Sequence, residues 1–171
     1  MKTVIFAAVV AAAAVSAPAF AQDAAPFTGP RAGVTAGYDS LGDEEGVSYG
    51  VTAGYDLAVT PNITFGPEVS FGDATTDGAG IDASRDLAAS VRLGYIVNPQ
   101  FLAFAKVGYA TTRFEDTVLG GSNNLEGVRF GGGLEFAVTG NTYISAEYQR
   151  TEYENNAGGR DAGVVGVGFR F

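Results

Sequence analysis

Past residue 22 the chain alternates apolar and polar residues with a period of two, in blocks separated by turn-forming residues. That period predicts β-strands and not helices. The second block is the cleanest. Val47, Tyr49, Val51, Ala53, Tyr55 and Leu57 share one parity, and Ser48, Gly50, Thr52, Gly54 and Asp56 share the other, without a phase error. The first block sets Ala32, Val34, Ala36 and Tyr38 against Gly33, Thr35 and Gly37. The third sets Ile63, Phe65, Pro67, Val69 and Phe71 against Thr64, Gly66, Glu68, Ser70 and Gly72. Pro67 lacks a ladder donor and is expected to weaken or bulge the pairing there.

Five further blocks follow the same rule. Leu87, Ala89, Val91, Leu93, Tyr95 and Val97 oppose Asp86, Ser90, Arg92 and Gly94. Phe101, Ala103, Ala105, Val107 and Tyr109 oppose Phe104, Lys106 and Gly108. Val128, Phe130, Gly132, Leu134, Phe136 and Val138 oppose Arg129, Gly131, Gly133 and Glu135. Ile144, Ala146 and Tyr148 oppose Ser145, Glu147 and Gln149, and Val165, Val167, Phe169 and Phe171 oppose Gly166, Gly168 and Arg170.

The breaks alternate in length. Thr60-Pro61-Asn62, Asn98-Pro99-Gln100 and Thr139-Gly140-Asn141 are tight turns of suitable chemistry. Residues 39–46, 73–84, 115–126 and 152–161 are longer connections. Short turns interleaved with long connections predict an all-β fold, an eight-stranded antiparallel up-and-down barrel with both chain ends on the short-turn side. Strands of ~10 residues at ~3.3 Å each, tilted by roughly 40°, cover the ~25 Å apolar band of a transmembrane barrel.

Alternation alone does not say which face is wet, and a soluble lipocalin-like barrel would carry the same pattern inside out. Three features place the apolar face against lipid. After residue 22 the chain has a single lysine, Lys106, whereas a soluble barrel normally spreads many charges over its exterior. The charges on the polar parity are of both signs: Glu68, Asp86, Arg92, Lys106, Arg129, Glu135, Glu147 and Arg170. Inside an eight-stranded barrel, just wide enough for side chains to fill it, these predict a paired interior network, because unpaired charges there would be very costly. Aromatic residues cluster near strand ends on the apolar face: Tyr38, Tyr55, Phe65, Phe71, Tyr95, Phe101, Phe136, Phe169 and Phe171. Such girdles mark the two membrane interfaces.

The first residues have a different character. Lys2 precedes an apolar run from Val4 to Val15, and Ala19-Phe20-Ala21 fits the small-x-small pattern of signal peptidase. A cleaved signal peptide over residues 1–21 is expected, with cleavage between Ala21 and Gln22 and a barrel domain over residues 22–171. An anchor helix is the alternative, but it needs ~20 apolar residues, and Ser16 and Pro18 break this run.

The closing stretch Gly166-Val167-Gly168-Phe169-Arg170-Phe171 ends on one aromatic with another two positions earlier. It resembles the carboxy-terminal signal read by the bacterial barrel-assembly machinery, which gives Phe169 and Phe171 that role. The chain as a whole resembles the small outer-membrane β-barrel family, the OmpA-like and opacity-protein-like porin group. The likeness is carried by Phe104-Ala105-Lys106-Val107-Gly108-Tyr109, Phe130-Gly131-Gly132-Gly133-Leu134-Glu135 and Ala146-Glu147-Tyr148. It implies residence in the outer membrane of a Gram-negative-type bacterium, with long loops outside and both termini in the periplasm. Outer-membrane lipid, lipopolysaccharide and, during biogenesis, the assembly machinery are the implied partners. The sequence ends at its last strand, so the peptidoglycan-binding domain of two-domain members is not expected.

Composition narrows the chemistry. The sequence has no histidine and no cysteine. Barrel enzymes of the outer membrane resemble one another in using a histidine, whose pKa near neutrality suits proton transfer. With neither residue, those mechanisms and the common N/S metal sites are absent, and no catalytic, metal or cofactor site is expected. The formal net charge of −9 makes nucleic acid an unsuitable partner. Thirteen of the nineteen acidic residues fall in the four long connections, most densely at Asp43-Glu44-Glu45. They read either as a solvated surface or as collectors of divalent cations that bridge to lipopolysaccharide phosphates. Two function classes remain: a structural or surface-interaction barrel, or a small porin with a narrow path past the inward glycines. A closed barrel has no free sheet edge, so a monomer is the default.

Overall fold

The computed structural model describes residues 27–41, 44–76, 81–116, 121–154 and 159–171. The expected leader over residues 1–21 and its expected cleavage residues Ala19, Ala21 and Gln22 lie outside the described residues, as does Asp43.

Eight strands run in chain order: β1 (Gly29–Leu41), β2 (Glu44–Thr60), β3 (Ile63–Thr76), β4 (Ile81–Asn98), β5 (Phe101–Asp116), β6 (Gly121–Thr139), β7 (Thr142–Tyr153) and β8 (Gly159–Arg170). Each pairs antiparallel with the next, and β8 pairs with β1 from Arg31↔Arg170 to Leu41↔Arg160, closing the barrel. The short turns form as their residues dictate. Asn98 Oδ1, for example, accepts the backbone N–H groups of Gln100 (2.8 Å) and Phe101 (2.9 Å), an Asx turn that fixes the β4–β5 reversal.

The strands are longer than the alternation indicates. β1 and β2 stay paired out to Leu41↔Glu44, and β5 pairs with β6 out to Asp116↔Gly121. Most of the first three connections expected as loops, and half of the fourth, is therefore paired strand. Apolar alternation stops where lipid would stop, but backbone pairing has no reason to stop there. Each additional rung satisfies N–H and C=O groups whatever the side chains are. At the other end Phe171 falls just past β8, its N–H still donating to Pro30 O at 2.9 Å.

Pro67 has the effect expected of it on one side. It pairs in register with Val91 of β4, while the ladder to β2 is interrupted between Gly54↔Glu68 and Leu57↔Phe65. The two backbones close in at that gap: a Cβ on Gly66 would lie 1.6 Å from Tyr55 O, so no larger residue fits.

The two faces have opposite chemistry, and this decides the orientation of the pattern. Val34, Val51, Leu57, Leu93 and Val165 stand outward and exposed, whereas Arg31, Asp56, Glu68, Arg92 and Glu135 are buried inside. The inverted, lipocalin-like arrangement is thus excluded. Of the girdle aromatics, Tyr38, Phe65, Phe71, Tyr95, Phe101, Phe169 and Phe171 are exposed, and Tyr55 and Phe136 are half-buried. Phe136 stacks at a tilt on Phe101, ring centroids 4.8 Å apart. The hydrophobic core cluster lies at the short-turn end, where Phe27, Ile96, Leu102 and Phe104 pack together.

Candidate functional site: the charged interior

Inward parity on every strand delivers one charged residue to a common level above that apolar cluster. Arg31 comes from β1, Asp56 from β2, Glu68 from β3, Arg92 from β4, Lys106 from β5, Glu135 from β6, Glu147 from β7 and Arg170 from β8. Four are cationic and four anionic. They join into one continuous network that touches all eight strands.

Asp56 is its hub. Its Oδ2 accepts from Arg31 Nε at 2.9 Å, Arg92 Nη1 at 3.0 Å and Arg170 Nη1 at 2.8 Å. The second arms of Arg92 and Arg170 reach Glu135 at 2.7 and 2.6 Å. The second arm of Arg31 reaches Glu68 at 2.6 Å, and Lys106 Nζ also donates to Glu68, at 2.7 Å. Lys106 Nζ lies 2.7 Å from Glu147 Oε1 as well, an ion pair at angles outside a directed hydrogen bond. The Arg92 guanidinium further stacks 4.0 Å over the Phe104 ring.

A second, smaller layer sits toward the long connections. Arg129 grips Asp86 with two parallel bonds of 2.7 and 2.6 Å, a bidentate geometry. Thr112 donates to the same carboxylate at 3.1 Å, and Arg129 Nε donates to Thr151 at 2.8 Å. Arg160 of β8 spans the lumen, pairing with Asp39 of β1 and reaching Asp86 of β4 at 3.5 Å. Between the layers lies a cavity of about 70 Å³, lined by Thr35, Ser48, Thr52, Ser70, Gln149 and Val164 among others.

All eight residues expected on the polar parity are inside: Glu68, Lys106, Glu147, Arg92, Glu135 and Arg170 in the large layer, Asp86 and Arg129 in the small one. Four participants were not foreseen. Arg31 and Asp56 sit at the extreme ends of the first two alternating blocks, and their parity alone would have included them. Asp39 and Arg160 fall in segments expected to be loops. Six of the ten basic and six of the nineteen acidic residues are therefore interior, so the formal charge of −9 is carried elsewhere.

Outside, at the long-connection end, acidic groups collect around two outward tyrosines, Tyr109 and Tyr148. Tyr109 OH lies 3.2 Å from Glu126 and 3.1 Å from Glu154, and Tyr148 OH donates to Asp161. Arg150 pairs with Glu152 and Asp161, each at 3.3 Å. Glu44 and Glu45 belong to β2, and no group of three or more metal-ligating side chains is found among the described residues.

A family model described as the outer membrane protein beta-barrel domain matches residues 7–171. No curated protein matches the chain at a significant level. Among solved structures, the attachment invasion locus protein Ail of Yersinia pestis aligns with TM-score 0.63 at 14% identity, over 84% of this chain and 97% of its own. The N-terminal β-barrel domain of Pseudomonas aeruginosa OprF aligns with TM-score 0.63 at 16% identity, over 84% and 99%. The outer membrane enzyme PagL aligns with TM-score 0.57 at 19% identity, over 81% and 99%. At such identities the likeness is one of fold.

Removing one partner from a buried ion network leaves the others uncompensated. Asp56→Ala, which strands three arginines, is expected to destabilise the folded barrel by about 3–5 kcal/mol. Glu152→Ala, an exposed partner of Arg150, should leave stability unchanged. Urea-unfolding midpoints in detergent micelles measure both.

Proposed function

Because the chain belongs to the outer membrane protein beta-barrel domain family, we propose that it is a non-catalytic, non-conducting barrel with a structural or surface-interaction role. One observation carries this reading: a layer of buried charges, contributed by every strand, fills the lumen from wall to wall. Eight-stranded barrels are narrow enough for side chains to fill, and open aqueous channels belong to barrels of about 16 strands. The absence of histidine and cysteine from the sequence supports the non-catalytic part. PagL, a fold neighbour, is an enzyme by its own description, and that activity has no residue-level support here.

In this reading the leader is removed before Gln22, Phe169 and Phe171 serve the assembly machinery, and the barrel sits as a monomer in outer-membrane lipid beside lipopolysaccharide. The long-connection end faces the cell exterior and both termini face the periplasm. Loops on a rigid scaffold carry function more often than the scaffold does, so contact with other surfaces falls to the acidic rim. The Ail neighbour is described as an attachment invasion locus protein, which agrees with such a role without assigning a partner. Divalent cations gathered by Asp43, Glu44 and Glu45 would be one way for an anionic rim to meet lipopolysaccharide phosphates.

Orientation is testable because the sequence has no cysteine of its own. A thiol at Glu152→Cys, exposed at the long-connection end, should react with a membrane-impermeant maleimide on intact cells. One at Gly140→Cys, in a short turn, should react only after the outer membrane is opened. The reverse result would invert the topology.

The interior cavity favours a second reading, a small porin. Planar-bilayer recording separates the two. Folded protein should give no channel events; reproducible unitary conductance would establish the porin.

A further inference from the structure

The short-turn mouth is closed by something other than the charge layer. Phe27 precedes β1, yet its side chain is fully buried, packed in the barrel mouth with Ile96, Leu102 and Phe104. Its carbonyl accepts from Arg170 Nη1 at 2.9 Å, and the same guanidinium lies 6.0 Å from its ring centroid. Gly29, at the start of β1, has φ +101°, a left-handed backbone that an L side chain rarely adopts. A Cβ there would also lie 2.6 Å from Phe171 O. The chain therefore bends at Gly29, where β1 meets the end of β8, and returns into the lumen instead of continuing along the wall.

We propose that Phe27 is a cork, an intramolecular plug that seals the short-turn mouth and keeps water from the charge layer above it. The inference goes beyond the closed-barrel function, which rests on the ion pairs alone. Excluding water lowers the local dielectric and strengthens those pairs, so the cork and the layer reinforce one another. Asp56 and Glu135, nearest the mouth in the network, have side chains essentially inaccessible to solvent. The cork ties the segment before β1 to the last strand through Arg170, so it forms only when the barrel has closed.

Thr64 supplies a reporter. It is buried beneath the mouth beside Leu102, and its hydroxyl has no hydrogen-bond partner, so Thr64→Cys exchanges a hydroxyl for the chain's single thiol at small cost. In folded protein this thiol should react slowly with a small charged methanethiosulfonate. Adding Phe27→Ala should accelerate labelling at least about tenfold, while Phe27→Leu, which refills the mouth, should keep it slow. Labelling rates within about twofold in all three backgrounds would overturn the proposal. Should Phe27→Ala fail to fold, chymotrypsin on the folded native chain decides. Phe27–Thr28 must stay uncut in the intact-mass spectrum, and rapid trimming at Phe27 would show that no cork exists.

Discussion

Eight interior charges, one from each strand and balanced in sign, hold the strands of this barrel in register. A β-barrel in lipid has little hydrophobic interior to hold its strands in register, because most of its apolar face points outward and slides against lipid as easily in one register as in another. Selection of register must come from inside. Asp56 gathers arginines from β1, β4 and β8 on one oxygen, and Glu135, Glu68 and Lys106 extend the set to β3, β5, β6 and β7. A strand displaced by one residue would turn its charge to lipid, and by two residues would carry it ~7 Å from its partners. Buried ion pairs add little net stability, since desolvation offsets their attraction. Their contribution lies in what they penalise: each wrong register leaves a buried charge alone. The layer acts as a device for specificity, with stability supplied by lipid contact and the closed hydrogen-bond ladder.

Internal neutrality has a second consequence. With the interior charges cancelling, the excess negative charge lies outside the lumen, and among the described residues Glu126, Glu154 and Asp161 gather around Tyr109 and Tyr148 at the long-connection end. The opposite end is closed by short turns and an apolar cluster. The barrel is thus polarised along its axis, with exposed acidic groups at one mouth and an occluded mouth at the other.

Much of this was legible in the sequence, for a physical reason. Lipid outside and polar filling inside impose opposite requirements on successive residues, so Val47 to Leu57 or Phe101 to Tyr109 announce both the strand and its faces. Interior charges followed from the same parity. What was illegible lies where lipid stops acting. Asp39 and Arg160 sit on paired strand beyond the apolar band, where nothing forces alternation, and they read as loop until the ladder is traced. Phe27 stands in Pro26-Phe27-Thr28-Gly29-Pro30, which has the composition of a linker. A single side chain that folds back into a mouth leaves no periodic trace, and only the left-handed Gly29 betrays it.

The most direct test of the register-setting layer is a double-mutant cycle on Arg92 and Glu135, which come from non-adjacent strands and meet at 2.7 Å. Unfolding free energies in detergent would be compared for Arg92→Gln, Glu135→Gln and the double variant. The double change should cost less than the sum of the single changes, with a coupling of about 1–3 kcal/mol. Strict additivity would mean that the two groups do not act on one another, and the layer would then be mere filling.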